Sequence, residues 1–199
     1  MRRLIDPSLE LALAEVRRYE NDADALLSSL MPFRLRLSPF EKRFRHGVTL
    51  WSMASLLTKL RDDDGVAHQL LPSTIGISDP TLERLLRGNA LDSAGTLFRA
   101  WVSLVYMRPE DVMQALKSIG NPGPHLQSFL ALLAHDHVRQ IRNAISHGTF
   151  VAEHRELVFN DRSRAGAISY VELDNLSSAF FAIWTCMWAV SMAPDVPDA

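Results

Sequence analysis

The 199-residue sequence predicts a mainly α fold, a helical bundle with a small β-hairpin before the last helix. Three observations lead there. Apolar residues recur at helical spacing through most of the chain, behind start signals at Asp6-Pro7, Ser38-Pro39, Asp79-Pro80 and Arg108-Pro109. Two short β-prone runs, Glu156 to Asn160 and Ala167 to Val171, flank the turn-forming stretch Asp161 to Gly166. The segment Leu176 to Ala193 is free of charge and apolar nearly all round a helix, the pattern of a helix surrounded by others.

Taken in order, Asp6-Pro7 pairs a capping residue with proline at the first helical position, and Leu9, Leu11, Leu13, Val16, Ala25, Leu26 and Leu30 keep a helical rhythm up to about Met31. Ser38-Pro39-Phe40-Glu41 repeats the signal, with Glu41 placed for a capping box. The helix behind it carries Phe44, Val48, Trp51, Leu56, Leu57 and Leu60, and Arg61 to Gly65 should end it. Residues 65–78 form a connection, and Asp79-Pro80 starts a short helix to Leu86. Asp92 is placed to cap a helix running through Trp101 and Val105 to Met107. Arg108-Pro109-Glu110-Asp111 starts another, ending near Gly120, and Asn121-Pro122-Gly123-Pro124 is the clearest breaker. One long amphipathic helix is expected from His125 to His147, closed by Gly148 as a C-terminal cap. The last helix spans about Glu172 to Met192.

The division expected is an N-terminal helical part, residues 1–90, packed on a helical core, residues 91–193, with a loose tail at 194–199. Hydrophobic residues make up 47% and charged residues 22%, which supports a real core. The net charge of −2 argues against a nucleic-acid coat and leaves a local basic patch open. A single cysteine, Cys186, rules out an intramolecular disulfide framework and agrees with a reducing, cytoplasmic setting. No cation sits beside it in sequence, so it reads as a small buried hydrophobe rather than a nucleophile. The start, Met1-Arg2-Arg3, is followed by no long apolar run, so no signal peptide is expected. The segment Leu176 to Ala193 holds Ser177, Ser178, Thr185 and Ser191 and has acidic flanks, Asp174 and Asp195. A membrane span needs roughly 20 apolar residues and positive flanks, so a central buried helix is expected and no membrane partner.

On a helical wheel centred on Ile141, Leu126, Leu130, Leu133, Ala134, Val138 and Ile145 share the core face. Asp136, Arg139, Asn143, Ser146 and His147 occupy the opposite side, with Arg142 at its edge, and His137 points toward the core. A guanidinium can neutralise a phosphate or the charge building on phosphorus. An imidazole exchanges protons near neutral pH. RNA brings its own nucleophile, the 2′-hydroxyl, so this chemistry needs no metal. No metal or cofactor is expected, since no His/Cys/Asp/Glu cluster has ligand spacing. The competing reading is a solvated helix face with ordinary charges. The basic stretch Arg34, Arg36, Lys42, Arg43, Arg45, His46 could guide an RNA backbone, or it too is a solvated face. Trp51, Trp101, Trp184 and Trp188 lie in apolar patterns and are expected in the core rather than as base-stacking platforms.

Arg142-Asn143-Ala144-Ile145-Ser146-His147 resembles the signature of the HEPN superfamily: arginine, a polar residue, a few variable residues, then histidine, near the end of a long helix in a small bundle. The resemblance covers residues 91–193 and leaves 1–90 unexplained. It implies a metal-independent endoribonuclease, often a toxin or antiviral defence effector countered by an antitoxin protein, in which two chains bring both motifs into one cleft. Carried over, Arg142 binds and polarises the scissile phosphate, His147 is general acid or base, and Asn143 orients one or the other. Asp136, Arg139, Ser146, Arg43 and Arg45 are expected as weaker RNA contacts. Many members of that superfamily serve instead as non-catalytic modules that bind RNA, a nucleotide or a protein. An unrelated helical interaction protein is the third reading.

Overall fold

The computed structural model describes residues 9–11, 13–14, 17, 23–59, 91–117, 124–153, 155–161 and 164–194. The expected helix start at Asp6-Pro7, the terminator Arg61 to Gly65, the connection 65–78, the helix from Asp79-Pro80, the breaker Asn121 to Gly123 and most of the tail lie outside those residues. Among the described residues the order is α1 (Ala23–Leu30), α2 (Arg34–Leu37), α3 (Glu41–Lys59), α4 (Leu91–Trp101), a π-helical turn (Val102–Tyr106), α5 (Pro109–Lys117), α6 (Pro124–Ala134), α7 (Asp136–His147), β1 (Phe150–Ala152), β2 (Glu156–Asp161), β3 (Arg164–Ser169) and α8 (Tyr170–Ser191). Single 3₁₀ turns, Met31–Phe33 and Ser38–Phe40, join α1, α2 and α3. The fold is mainly α, as its periodicity predicts.

The apolar helix α8 is the axis of the bundle. It packs against α1, α2, α3, α4 and the π-helical turn through buried positions, among them Leu173, Leu176, Phe180, Ile183, Trp184 and Met187, that share one side of the helix. Val171, Asn175 and Ala189 on the opposite side are exposed, so the burial all round that the sequence suggests is not reached. Trp184 is fully buried, stacks near Phe44 and meets Phe129 edge-on, which ties α3 and α6 to the axis. One continuous apolar core runs from Leu26 and Leu30 through Phe44 and Phe98 to Val190, so the described N-terminal helices share it with the C-terminal ones. Trp101 and Trp184 are buried, and Trp51 and Trp188 are half-buried against the same core. No helix among the described residues is long and apolar enough to cross a membrane.

Several elements differ from expectation for identifiable reasons. The helix expected from His125 to His147 is two helices, broken at His135, whose backbone is extended at φ −62° and ψ 130°. His135 caps α7: its Nδ1 accepts the His137 N–H at 3.2 Å, and Asp136 adds a negative charge to the first turn. The break resets the helical phase. Continuing the stripe of Phe129 and Leu133 would bury Asp136, whereas the new helix buries Val138, Ile141, Ala144 and Ile145. Ahead of the break the wheel centred on Ile141 is therefore shifted: Leu126 and Leu133 are buried as it expects, but Leu130 is half-buried, Ala134 is exposed, and Phe129 and Leu132, which it leaves out, are buried.

The hairpin gains a third strand. β1 pairs antiparallel with β2, Val151 opposite Val158, and β2 pairs with β3, Leu157 opposite Ile168. Three residues are too few for β1 to show a period. β3 ends at Ser169, not Val171, because Ser169 and Glu172 form a capping box that starts α8 through the β-prone Tyr170 and Val171. The Ser38 capping box is absent: its hydroxyl donates to the Leu35 carbonyl at 3.1 Å, since the chain is already helical there. The helix expected to be capped by Asp92 starts at Leu91 and loosens after Trp101 into the π-helical turn.

Candidate functional site

The π-helical turn builds the site. Met107 N–H reaches back five residues to the Val102 carbonyl at 3.1 Å. The Ser103 carbonyl instead accepts the Trp184 indole N–H at 3.0 Å, and the Ser103 hydroxyl donates to the Ser177 carbonyl at 3.2 Å. These buried bonds satisfy the displaced backbone and pin the turn to α8. Arg108 then adopts a left-handed conformation, φ 49°, so that Pro109 can open α5. Gly47 on α3 lets Met107 pack against the helix backbone, since a Cβ there would overlap the Met107 thioether. A π-helical turn, a non-glycine residue at positive φ and a glycine contact thus surround one depression, and such irregularities concentrate at functional sites.

The depression is a cleft of about 900 Å³. α3 contributes Lys42, Arg43 and His46, the turn region Trp101, Leu104, Val105 and Tyr106, the start of α5 Arg108, Glu110 and Asp111, and α7 Arg142, Asn143 and Ser146. Four cationic side chains face two carboxylates, which leaves the cleft positive although the whole chain is slightly acidic. Both carboxylates are engaged by arginine. Arg142 Nη2 meets Glu110 Oε1 at 2.7 Å, and Asp111 Oδ2 receives Arg43 Nη1 at 3.1 Å and Arg108 Nε at 3.0 Å. Burial pushes the Arg142 pKa down, Glu110 pulls it back up and Arg139 lowers it again. The Trp101 indole N–H is buried without a hydrogen-bond partner.

The motif is divided by this geometry. Arg142, Asn143 and Ser146 line the cleft, and so does Arg43. His147 is exposed and lies outside the lining. Gly148, in the left-handed conformation at φ 65°, ends α7 directly after it and places the Thr149 N–H 2.9 Å from the Ala144 carbonyl. Asp136 and Arg139 are not brought to the cleft: they pair with each other at 2.9 Å on an exposed face. Arg45 also lies outside, 3.8 Å from Glu41 one helical turn away. Arg34 donates to the Ala193 carbonyl at 2.6 Å and Arg36 to the Ala115 carbonyl at 3.4 Å, so both bind chain segments together. His137 is half-buried with its ring edge-on to Phe159 at 5.6 Å. Cys186 is half-buried and its thiol pKa is pushed up by burial, which keeps it unreactive near neutral pH.

The sequence placed His46 only within a basic stretch able to guide RNA, and it offered no site role for Tyr106, Arg108, Glu110 or Asp111, all of which line the cleft; His46 and Tyr106 form a pair within it. The His46 Nδ1 and the Tyr106 hydroxyl are 2.6 Å apart, and their rings meet edge-on at 5.5 Å. They are separated by 60 residues, so no motif links them; the usable signals were Gly47 inside an apolar helix and the Arg108-Pro109 corner. Among the described residues no group of three His, Cys, Asp or Glu side chains is placed to hold a metal ion. No protein-family model matches the chain, and no curated protein and no solved structure matches it.

Proposed function

We propose that the protein is a metal-independent endoribonuclease acting as a homodimer, with the cleft beside Arg142 as the seat of the scissile phosphate. The observation that carries this reading is Arg142 itself. Its side chain, only 11% exposed, stands in a positive cleft with Asn143 and Ser146 beside it. A partly desolvated guanidinium interacts more strongly with a phosphate than one in open water. Arg142 neutralises the non-bridging oxygens, Asn143 orients the phosphate, and Arg43, Lys42 and Arg108 steer the neighbouring backbone into place. His147 is exposed at the end of α7, where a second copy of the chain would bring it to the facing cleft. The resemblance to HEPN nucleases supports both the motif's role and the pairing of two chains, and it extends the proposal to a toxin or defence effector restrained by an antitoxin.

A second reading is a non-catalytic module that binds RNA, a nucleotide or a protein. His147 outside the cleft of its own chain favours it, because a binding surface needs the arginine and no acid or base. One experiment separates the two. Single-stranded RNA is incubated with the purified chain in excess EDTA, and products are resolved for wild type, Arg142→Ala and His147→Ala. The nuclease reading expects 2′,3′-cyclic phosphate and 5′-hydroxyl ends from wild type alone, with all three proteins folded and dimeric by light scattering. RNA retention without cleavage by wild type establishes the module and ends the nuclease proposal.

A further inference from the structure

In-line displacement at phosphorus takes a proton from the attacking oxygen on one side and gives one to the departing oxygen on the other. A guanidinium supplies neither, because it stays protonated in proteins. We infer that His46 is the general acid of this cleft and that Tyr106 is its positioning residue. The inference rests on the ribonuclease reading above.

Location comes first. His46 lines the same cleft as Arg142 and Asn143, whereas His147 does not. The cleft carboxylates are already committed to ion pairs, Glu110 with Arg142, and Asp111 with Arg43 and Arg108. An imidazole is then the group suited to proton donation near neutral pH.

Orientation comes next. With Nδ1 2.6 Å from the Tyr106 hydroxyl, Nε2 is the nitrogen left to exchange a proton. A hydroxyl both donates and accepts, so Tyr106 accepts the Nδ1–H before and after Nε2 gives up its proton. This is how a third group fixes the tautomer and direction of a catalytic imidazole elsewhere. The pairing is built into the backbone. Tyr106 is the last residue of the π-helical turn, and Gly47, next to His46, allows α3 to approach Met107. The charges facing His46 are Lys42 and Arg43 on its own helix and Arg108, Glu110, Asp111 and Arg142 across the cleft. Their excess of positive charge holds the phosphate dianion that forms in the transition state.

The step is then complete. The 2′ oxygen bonds to phosphorus and its proton passes to the imidazole of His147 from a second copy. The bond from phosphorus to the 5′ oxygen breaks, its electron pair leaves on that oxygen, and the oxygen takes the Nε2 proton of His46 imidazolium. A 2′,3′-cyclic phosphate and a 5′-hydroxyl result, and exchange with water returns both imidazoles to their starting forms.

The test compares two substrates on the full chain: a short RNA, whose 5′ alkoxide needs a proton to leave, and a ribonucleoside 3′-(p-nitrophenyl phosphate), whose aryloxide does not. His46→Ala is expected to lower kcat on RNA about 100-fold or more but under about threefold on the aryl ester, and to erase the alkaline limb of the pH–rate profile. His46→Gln keeps a hydrogen-bonding partner for Tyr106 and should behave as His46→Ala; it decides the matter if the alanine variant melts early. Tyr106→Phe should cost about 10-fold on RNA, shift that limb and spare the aryl ester. Equal losses on both substrates, an undiminished rate on RNA or an unchanged alkaline limb overturns the assignment. Wild type that cleaves RNA beside an equally active His46→Ala removes this inference alone, whereas wild type that cleaves no RNA removes the nuclease reading with it.

Discussion

Arg142 Nη2 lies 2.7 Å from Glu110 Oε1, and the two side chains see different solvent: 11% of Arg142 is exposed against 51% of Glu110. Glu110 is therefore a solvated counter-ion for a cation that is largely desolvated, and it competes with any phosphate for the same guanidinium.

Removing that counter-ion should have two effects at once. Glu110→Gln strands a partly buried charge and is expected to cost about 1–3 kcal/mol in urea unfolding. The same variant should bind a non-cleavable 2′-O-methyl oligonucleotide several-fold more tightly, since a competing carboxylate is gone. Fluorescence anisotropy measures the second effect, and weaker binding in Glu110→Gln would show that Arg142 does not face the RNA.

Gly47→Ala puts a methyl group into the Met107 thioether, and Met107 is 1% exposed with little room to yield. Helix propensity favours alanine by about 1 kcal/mol, but overpacking costs about 1–3 kcal/mol. A net loss of stability is expected in thermal melts, together with a lower RNA-cleavage rate as His46 is pushed off Tyr106. A variant more stable than wild type would mean that the packing between α3 and the π-helical turn is looser than described.

Gly148 holds φ 65°, where a Cβ costs roughly 1–2 kcal/mol. Gly148→Ala should lose about that much in denaturant unfolding, and Gly148→Asn distinctly less, because asparagine tolerates the left-handed region. Equal losses in the two variants would point away from backbone strain.

The Tyr106 pKa is raised by burial, and Arg43 opposes the rise. A raised folded-state value means that the folded protein keeps the phenolic proton longer than the unfolded chain. Its contribution to stability is full below pH 10, the ordinary tyrosine value, and is lost as pH rises through the folded-state value. Wild type should therefore lose stability relative to Tyr106→Phe as the pH becomes alkaline. Phenolate absorbance should show Tyr106 ionising late, and later still in Arg43→Ala. A Tyr106 that titrates at the ordinary value would place it in water rather than against α3.

The parts of the fold legible in the sequence are those written in local spacing. The uncharged, apolar run of α8 announces a core helix, though packing buries one side of it only, Pro109 marks the start of α5, and Gly148 marks the end of α7. The face of α7 that presents Asn143, Ser146 and His147 away from Ile141 follows from 3.6 residues per turn. The break at His135 was harder, because neither glycine nor proline marks it. Its trace is the phase shift between the Phe129 and Val138 stripes, which a single wheel averages away. The capping box of Ser169 and Glu172 was written in the sequence and outweighed the β-propensity of the residues between them.

What the sequence by itself determined is the helical class, the buried and polar faces of α7, and the clustering of an arginine, an asparagine and a histidine at one helix end. Tertiary packing decided which of them share a cleft. It brought His46 to Tyr106, placed Glu110 on Arg142, and left His147 outside with Asp136 and Arg139. The reason is geometric: helical period sets the direction in which a side chain points, whereas proximity across the chain depends on how a π-helical turn, a glycine contact and a corner residue seat one helix against another.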